Sequence, residues 1–318
     1  MDPTPKDAGQ DEPQPPHPWL KPAGFVAGVV LLGAAVWAAW GQREAVLQGL
    51  RSAAGARWWL IALMLGLPVL NWVLSSALFM LLMQPGQRVA RRPVRFVEML
   101  WLIGASWLLN YLPMAPGLLG RVAYHRRVHG IPVRLSVQAV GAGLMISVAA
   151  LGLPLLMAVV SPRLFPTPGG LVPLLVLAGV FLMLGLIDRA RGKAHWWLAL
   201  AMCVRSVDIA VWTVRYAVVM AVLGLDWTWA GAAAVAIVSQ IAVLVPLAGN
   251  GLGLREWAVG LVGPVLPTWF RGAAGMAQGV GLAVDLVNRA CEVVVAVPVG
   301  LLSVLALARG LRRAGDPD

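Results

Sequence analysis

From residue 23 onward the chain alternates between long apolar blocks and short connections rich in arginine. The blocks fall at 23–40, 58–83, 96–119, 135–160, 171–187, 195–223, 227–247 and 273–305, with a shorter apolar piece at 256–270. Most reach about 20 residues, the length of helix that crosses the hydrocarbon core of a bilayer. Apolar positions run through them without the sustained alternation of a barrel strand, which excludes a β-barrel. The pattern predicts an all-α polytopic membrane helix bundle. Trp58, Trp59, Trp196, Trp197, Trp227 and Trp229 stand at block ends, where an aromatic belt meets the headgroups.

Composition agrees with the pattern. Of 318 residues 59% are hydrophobic and 12% charged, with a mean hydropathy of +0.79. A soluble domain has about 25% charged residues and could not cover this much apolar surface. A soluble enzyme, a disordered chain and a nucleic-acid-binding domain are therefore excluded, despite a net charge of +11. The bases sit mostly in loops, where they orient the chain and meet anionic headgroups. Residues 1–22 carry seven prolines together with Asp2, Asp7, Asp11 and Glu12, and read as a solvated cytoplasmic tail. The block from Ala23 reads as a retained first span. A membrane domain over 23–308 and a second cytoplasmic tail over 309–318 complete the organisation, on the inner membrane with both termini cytoplasmic. Cys203 and Cys291 lie inside apolar blocks, which argues for inert thiols and against a disulfide framework.

Charge arithmetic then constrains the topology. If every block crosses fully, the loops and tails divide their Lys and Arg as 10 on each side, and the positive-inside rule is silent. If the blocks at 96–119 and 227–255 enter and return on one side, the division becomes 15 cytoplasmic against 5. Both blocks carry the chemistry of a break. The first runs Asn110-Tyr-Leu-Pro-Met-Ala-Pro-Gly-Leu-Leu-Gly-Arg121 and the second Pro246-Leu-Ala-Gly-Asn-Gly-Leu-Gly-Leu-Arg-Glu256. Proline removes a backbone donor and glycine admits irregular backbone, so neither stretch continues a helix. At membrane depth such backbone must be buried in protein or line a wet cavity. Three full spans separate the two, so they enter from opposite faces. The expectation is about six full spans plus two re-entrant Pro/Gly-broken segments in an inverted repeat, as transporters use to build a midplane site. The alternative is two helices that end in surface turns.

With these motifs the chain resembles the lysylphosphatidylglycerol synthase transmembrane-region family of flippase-like multispan proteins, over roughly residues 20–310. Gly251, Gly253, Arg255 and Glu256 match that family's second Pro/Gly-rich motif, while Gly249 and Asn250 stand where Pro-Gly is commoner. Pro116, Gly117 and Gly120 fit the first motif, with Arg121 in place of an acidic residue. Asn288-Arg289 resembles an arginine position of the last span. The resemblance implies movement of a modified lipid between leaflets. Its stand-alone members lack a synthase domain and include hopanoid-associated proteins.

Ionisable residues inside spans are costly and mark a functional interior by default. Arg205, Asp208 and Arg215 share roughly one helical face, and Asp285, Asn288, Arg289 and Glu292 follow helical spacing and can neutralise one another. They read either as interhelical clamps, as a headgroup lining, or as a proton relay. Arg255 presents a fork suited to phosphate, and with Glu256, Asn250, Arg121 and Asn110 it forms the candidate headgroup site. The alternative for Arg255 is an interfacial loop arginine. Arg121 with Arg126 and Arg127 reads as a phosphate patch or, more simply, a solvated positive loop.

His125 and His129 are four apart but lie among arginines, which repel a metal ion. The Gly-x-Gly-x-Gly at 249–253 has neither a preceding strand nor the Lys-Ser/Thr of a phosphate loop. Ser75, Ser76, Ser206 and Ser239 have no histidine nearby in sequence. No catalytic residue, metal or cofactor is therefore expected. The function expected is lipid translocation, with membrane lipids as partners: an anionic or modified phospholipid, or an isoprenoid-type lipid. The competing expectation is a non-catalytic scaffold for a lipid-modifying enzyme, and an intramembrane enzyme ranks behind both.

Overall fold

The computed structural model describes residues 58–111, 116–160, 171–244, 251, 253–265 and 278–315. Of these 87% are helical and none is in a strand. The elements are α1 (Trp58–Leu82), α2 (Gln84–Gln87), α3 (Phe96–Leu109), α4 (Pro116–His129), α5 (Val133–Val160), α6 (Val172–Ala190), α7 (Trp196–Val222), α8 (Trp229–Leu244), α9 (Leu254–Val265) and α10 (Gln278–Gly315). Among the described residues five helices are long and apolar enough to cross a membrane, namely α1, α5, α6, α7 and α10. The expected first span lies outside the described residues. The chain is thus an all-α, multi-pass membrane protein.

Two boundaries differ from the sequence expectation. The block at 96–119 is two helices, α3 and α4, and the second arm runs on to His129 through residues expected to be loop. The short apolar piece at 256–270 begins earlier, as α9, with its first turn carrying Arg255 and Glu256.

The α3–α4 pair is antiparallel. Where α4 begins, Ser106 Oγ donates to Gly117 O at 2.9 Å. At its open end, Tyr124 Oη donates to Glu98 Oε1 at 2.8 Å and His129 Nε2 lies 3.2 Å from the same oxygen. The α1–α3 connection meets this end: Arg91 N donates to His129 O at 2.9 Å, and Ile131 joins Met83 and Val94 in one apolar cluster. Gln87 closes the connection on itself through both directions of its amide to Val94.

Helix α7 is the axis of the bundle, with 56% of its membrane-length window buried, against 17% for α6. Apolar clusters on its sides join it to α8, α9 and α10 through Trp212, Tyr216 and Met220, and to α5, α6 and α8 through Met202 and Ile209. Lipid offers apolar helices no reason to associate, so close approach through small residues does that work. A Cβ on Gly104 of α3 would meet Ser303 Oγ of α10 at 2.3 Å, and one on Gly300 of α10 would meet Leu108 Cβ at 2.3 Å. The buried run Gly231-Ala-Ala-Ala-Val-Ala236 has the same part in α8. The outward faces of α6 and α10 expose Val176, Met183, Val294, Leu302 and Leu305, as a lipid-facing surface requires.

The packing also has an internal regularity. Exchange α1, α3, α4 and α5 for α7, α8, α9 and α10, in that order, and the packed pairs map onto packed pairs: α1·α3 onto α7·α8, α3·α4 onto α8·α9, α4·α5 onto α9·α10, α1·α5 onto α7·α10, α1·α10 onto α7·α5, and α3·α10 onto α8·α5. The α1·α7 pair maps onto itself.

Candidate functional site

The polar residues that sequence places within spans converge on a cavity of about 440 Å³. Asn71 on α1, Asn110 beyond α3, Arg121 on α4, Gln240 on α8, Arg255 on α9 and Glu292 on α10 all line it, with Arg205, Asp208 and Arg215 from α7. Both broken segments therefore reach one site. Their local sequences run in parallel: Gly117-Leu-Leu-Gly-Arg121 and Gly251-Leu-Gly-Leu-Arg255 hold glycine and arginine at the same spacing. In each, the glycine lies against the preceding helix. A Cβ on Gly117 would stand 2.4 Å from Ser106 O, and one on Gly251, whose φ is +67°, would stand 3.3 Å from Ala242 O. A left-handed backbone angle favours glycine.

A chain of charge-assisted hydrogen bonds runs along one wall. It starts at Gln240, whose Oε1 accepts from Arg205 Nη2 at 3.0 Å. Arg205 pairs with Asp208 on the next turn. Asn71 Nδ2 donates to Asp208 Oδ1 at 2.7 Å, and Asn71 Oδ1 accepts from Arg215 Nη1 at 3.1 Å. Glu292 Oε2 then takes Arg215 Nη2 at 3.4 Å and Arg255 Nη1 at 3.2 Å. Arg255 Nε closes the chain on Asp285, at 3.0 and 3.1 Å to its two oxygens, and Tyr216 Oη also donates to Asp285. The other oxygen of Glu292 accepts from Trp107 Nε1 and Tyr111 Oη, each at 3.2 Å. Trp212 lies beneath the guanidinium of Arg215, 3.8 Å from ring centre to Cζ.

Three arginines here face three carboxylates. Such a network holds because each buried charge has its counter-charge, and removing one member strands another. It is not saturated, however. Arg205 Nε, Arg215 Nε and Arg255 Nη2 are buried donors with no hydrogen-bond partner among the described residues.

Arg121 differs from the three. Its guanidinium sits over Phe79, 4.1 Å from the ring centre, and its Nε is buried without a hydrogen-bond partner among the described residues. No salt bridge joins it to a described carboxylate. Asn110 Oδ1, also in the lining, is buried and has no donor among the described residues. Arg126 and Arg127, one turn on, are exposed, so Arg121 does not belong to a single surface patch with them.

Several expected site residues stand elsewhere. Glu256 is fully buried and pairs with Arg289, away from the cavity lining. Asp285 and Asn288 are buried behind the lining as well. Asp285 and Glu292 take their cations from α9 and α7 rather than from Arg289 on their own helix, because the facing helices bring Arg255 and Arg215 within reach. Asn250 lies outside the described residues.

Sequence reasoning missed Asn71 and Gln240, which bridge the charges, and Trp107, Tyr111 and Tyr216, which complete the carboxylates' partners. The rule that flags charged residues in spans would have found the two amides had it extended to neutral polar groups. No family model, curated protein or solved structure matches the chain.

Proposed function

We propose that this protein moves a polar-headed, phosphate-bearing lipid between the leaflets of a bacterial-type inner membrane, with the headgroup in the 440 Å³ cavity and the acyl chains in the surrounding lipid. The observation that carries the reading is the cavity's lining. Four arginines, from α4, α7 and α9, reach it and each keeps a buried N–H donor without a partner among the described residues. Guanidinium donors held in place match phosphate oxygens, and a site that is polar before the lipid arrives lowers the cost of moving a headgroup through hydrocarbon.

In this reading the α3–α4 and α8–α9 pairs are re-entrant, entering from opposite faces to meet in the cavity. The meeting of Arg91 with His129 supports the first, since it joins the chain before α3 to the end of α4. The exchange of packed pairs between the two halves supports an internal repeat, and the positive-inside division of 15 against 5 supports cytoplasmic termini. The resemblance to the lysylphosphatidylglycerol synthase transmembrane region is consistent with the same function. Transport is then downhill or ion-coupled, and the protein performs no covalent step. Asp208 and Glu292, the carboxylates of the cavity wall, are the groups positioned to couple an ion.

The test is translocation of fluorescent phospholipids in vesicles reconstituted with the full chain, read by quenching of the outer leaflet. The wild type should exceed protein-free vesicles at least tenfold. The paired change Arg255→Gln with Asp285→Asn keeps the network neutral, and should fold yet lose most of that rate. A wild type no faster than empty vesicles would overturn translocation and favour the scaffold reading.

A further inference from the structure

The charge balance of the cavity carries one step more, resting on the reading of the cavity as a headgroup site. Arg205, Arg215 and Arg255 are matched by Asp208, Asp285 and Glu292, and behind them Arg289 is matched by Glu256. Arg121 has no such match among the described residues. The undescribed internal segments 112–115, 161–170, 245–250, 252 and 266–277 contain no Asp or Glu that could supply one. Among the described residues the network is therefore neutral, and Arg121, held over the ring of Phe79, adds one positive charge to the lining.

We infer that the cavity selects headgroups of one net negative charge, a phosphodiester whose alcohol is uncharged, and that Arg121 is the residue that sets this preference. A guanidinium partly withdrawn from water attracts the anion that neutralises it. A zwitterionic lipid brings a phosphate but also an ammonium, and leaves the site as positive as before. An aminoacylated phospholipid with a cationic head adds to the excess. A phosphomonoester in its doubly charged form overshoots, leaving one negative charge in a wall whose own carboxylates are already matched. Specificity here is a difference between these penalties.

Native mass spectrometry of the purified full chain tests this, with equimolar phosphatidylglycerol, phosphatidylcholine and phosphatidic acid added at pH 8. The wild type should retain phosphatidylglycerol over phosphatidylcholine by at least tenfold, and over phosphatidic acid by a smaller factor. Arg121→Gln should bring the first ratio to within twofold of unity, and Arg121→Lys should restore part of it. Equal retention of phosphatidylcholine by the wild type would overturn the inference. So would preference for phosphatidic acid, or an unchanged preference in Arg121→Gln. The same preparations assayed for translocation separate the two claims. Transport without charge preference sinks this inference alone, whereas charge-selective binding without transport sinks translocation and leaves the charge selection standing.

Discussion

The two broken segments begin from nearly the same five residues and end in different electrostatic states. In Gly251-Leu-Gly-Leu-Arg255 the arginine is 1% exposed and gripped by Asp285 and Glu292. In Gly117-Leu-Leu-Gly-Arg121 it meets an aromatic ring and no described carboxylate. Local sequence thus decides where each arginine points, because glycine lets the new helix start tight against the previous one. The facing helix decides what the arginine is for. Opposite Arg255 stands α10 with two acids, while α5, which packs on α4, carries none. In the proposed reading Arg255 is a keystone of the bundle, and Arg121, with no carboxylate partner among the described residues, is the charge that meets the ligand.

The widest separation between the two should come from removing each charge. Arg255→Gln strands Asp285 beside Tyr216 and takes from Glu292 one of its two arginine partners, which should cost about 3–5 kcal/mol and show as a large drop in folded yield and melting temperature. Adding Asp285→Asn should recover most of that loss. If the single and double variants melted alike, the keystone assignment would fail.

A smaller effect is expected from the glycine that lets α4 start against α3. Gly117→Ala drives a Cβ into Ser106 backbone atoms at 2.4 and 2.7 Å, and should destabilise by about 1–3 kcal/mol. Gly120, in the same helix, has open space around its Cβ position. Gly120→Ala should therefore be neutral or stabilise by up to about 1 kcal/mol through helix propensity alone. Equal melting temperatures for the two alanine variants would contradict the close approach of α3 and α4.

The least thermal effect belongs to Arg121. Arg121→Gln gives up a cation–π contact worth about 0.5–1 kcal/mol and relieves an unmatched charge, so its melting temperature should stay near that of the wild type. A loss as large as that of Arg255→Gln would show that Arg121 also holds the bundle together.

Much of this architecture was legible in the chain itself. Continuous apolar blocks located α1, α5, α6, α7 and α10, since a span's length is set by the bilayer rather than by its neighbours. Most of the charged residues within spans come together in one network of ion pairs, and the Arg205–Asp208 pair followed from helical spacing. What spacing could not give was the partner across helices. Asp285 and Glu292 looked able to pair with Arg289 along α10, but the chains of α9 and α7 lie closer to them. Glu256 looked like a headgroup ligand because it follows Arg255. A single step along a helix turns a side chain by about 100°, which here sends Arg255 to the cavity and Glu256 to Arg289 behind it. The polar amides escaped notice because an uncharged Asn71 among apolar neighbours resembles any tolerated polar residue until its two charged partners are seen.

The central claim is that both broken segments hold one lipid headgroup between them. Electron cryomicroscopy of the full chain in nanodiscs containing phosphatidylglycerol tests this most directly. The account predicts phosphate density inside the cavity within hydrogen-bonding reach of both Arg121 and Arg255, with acyl density leaving between helices toward the lipid. Headgroup density confined to the exposed Arg126 and Arg127, with only water between Arg121 and Arg255, would contradict it.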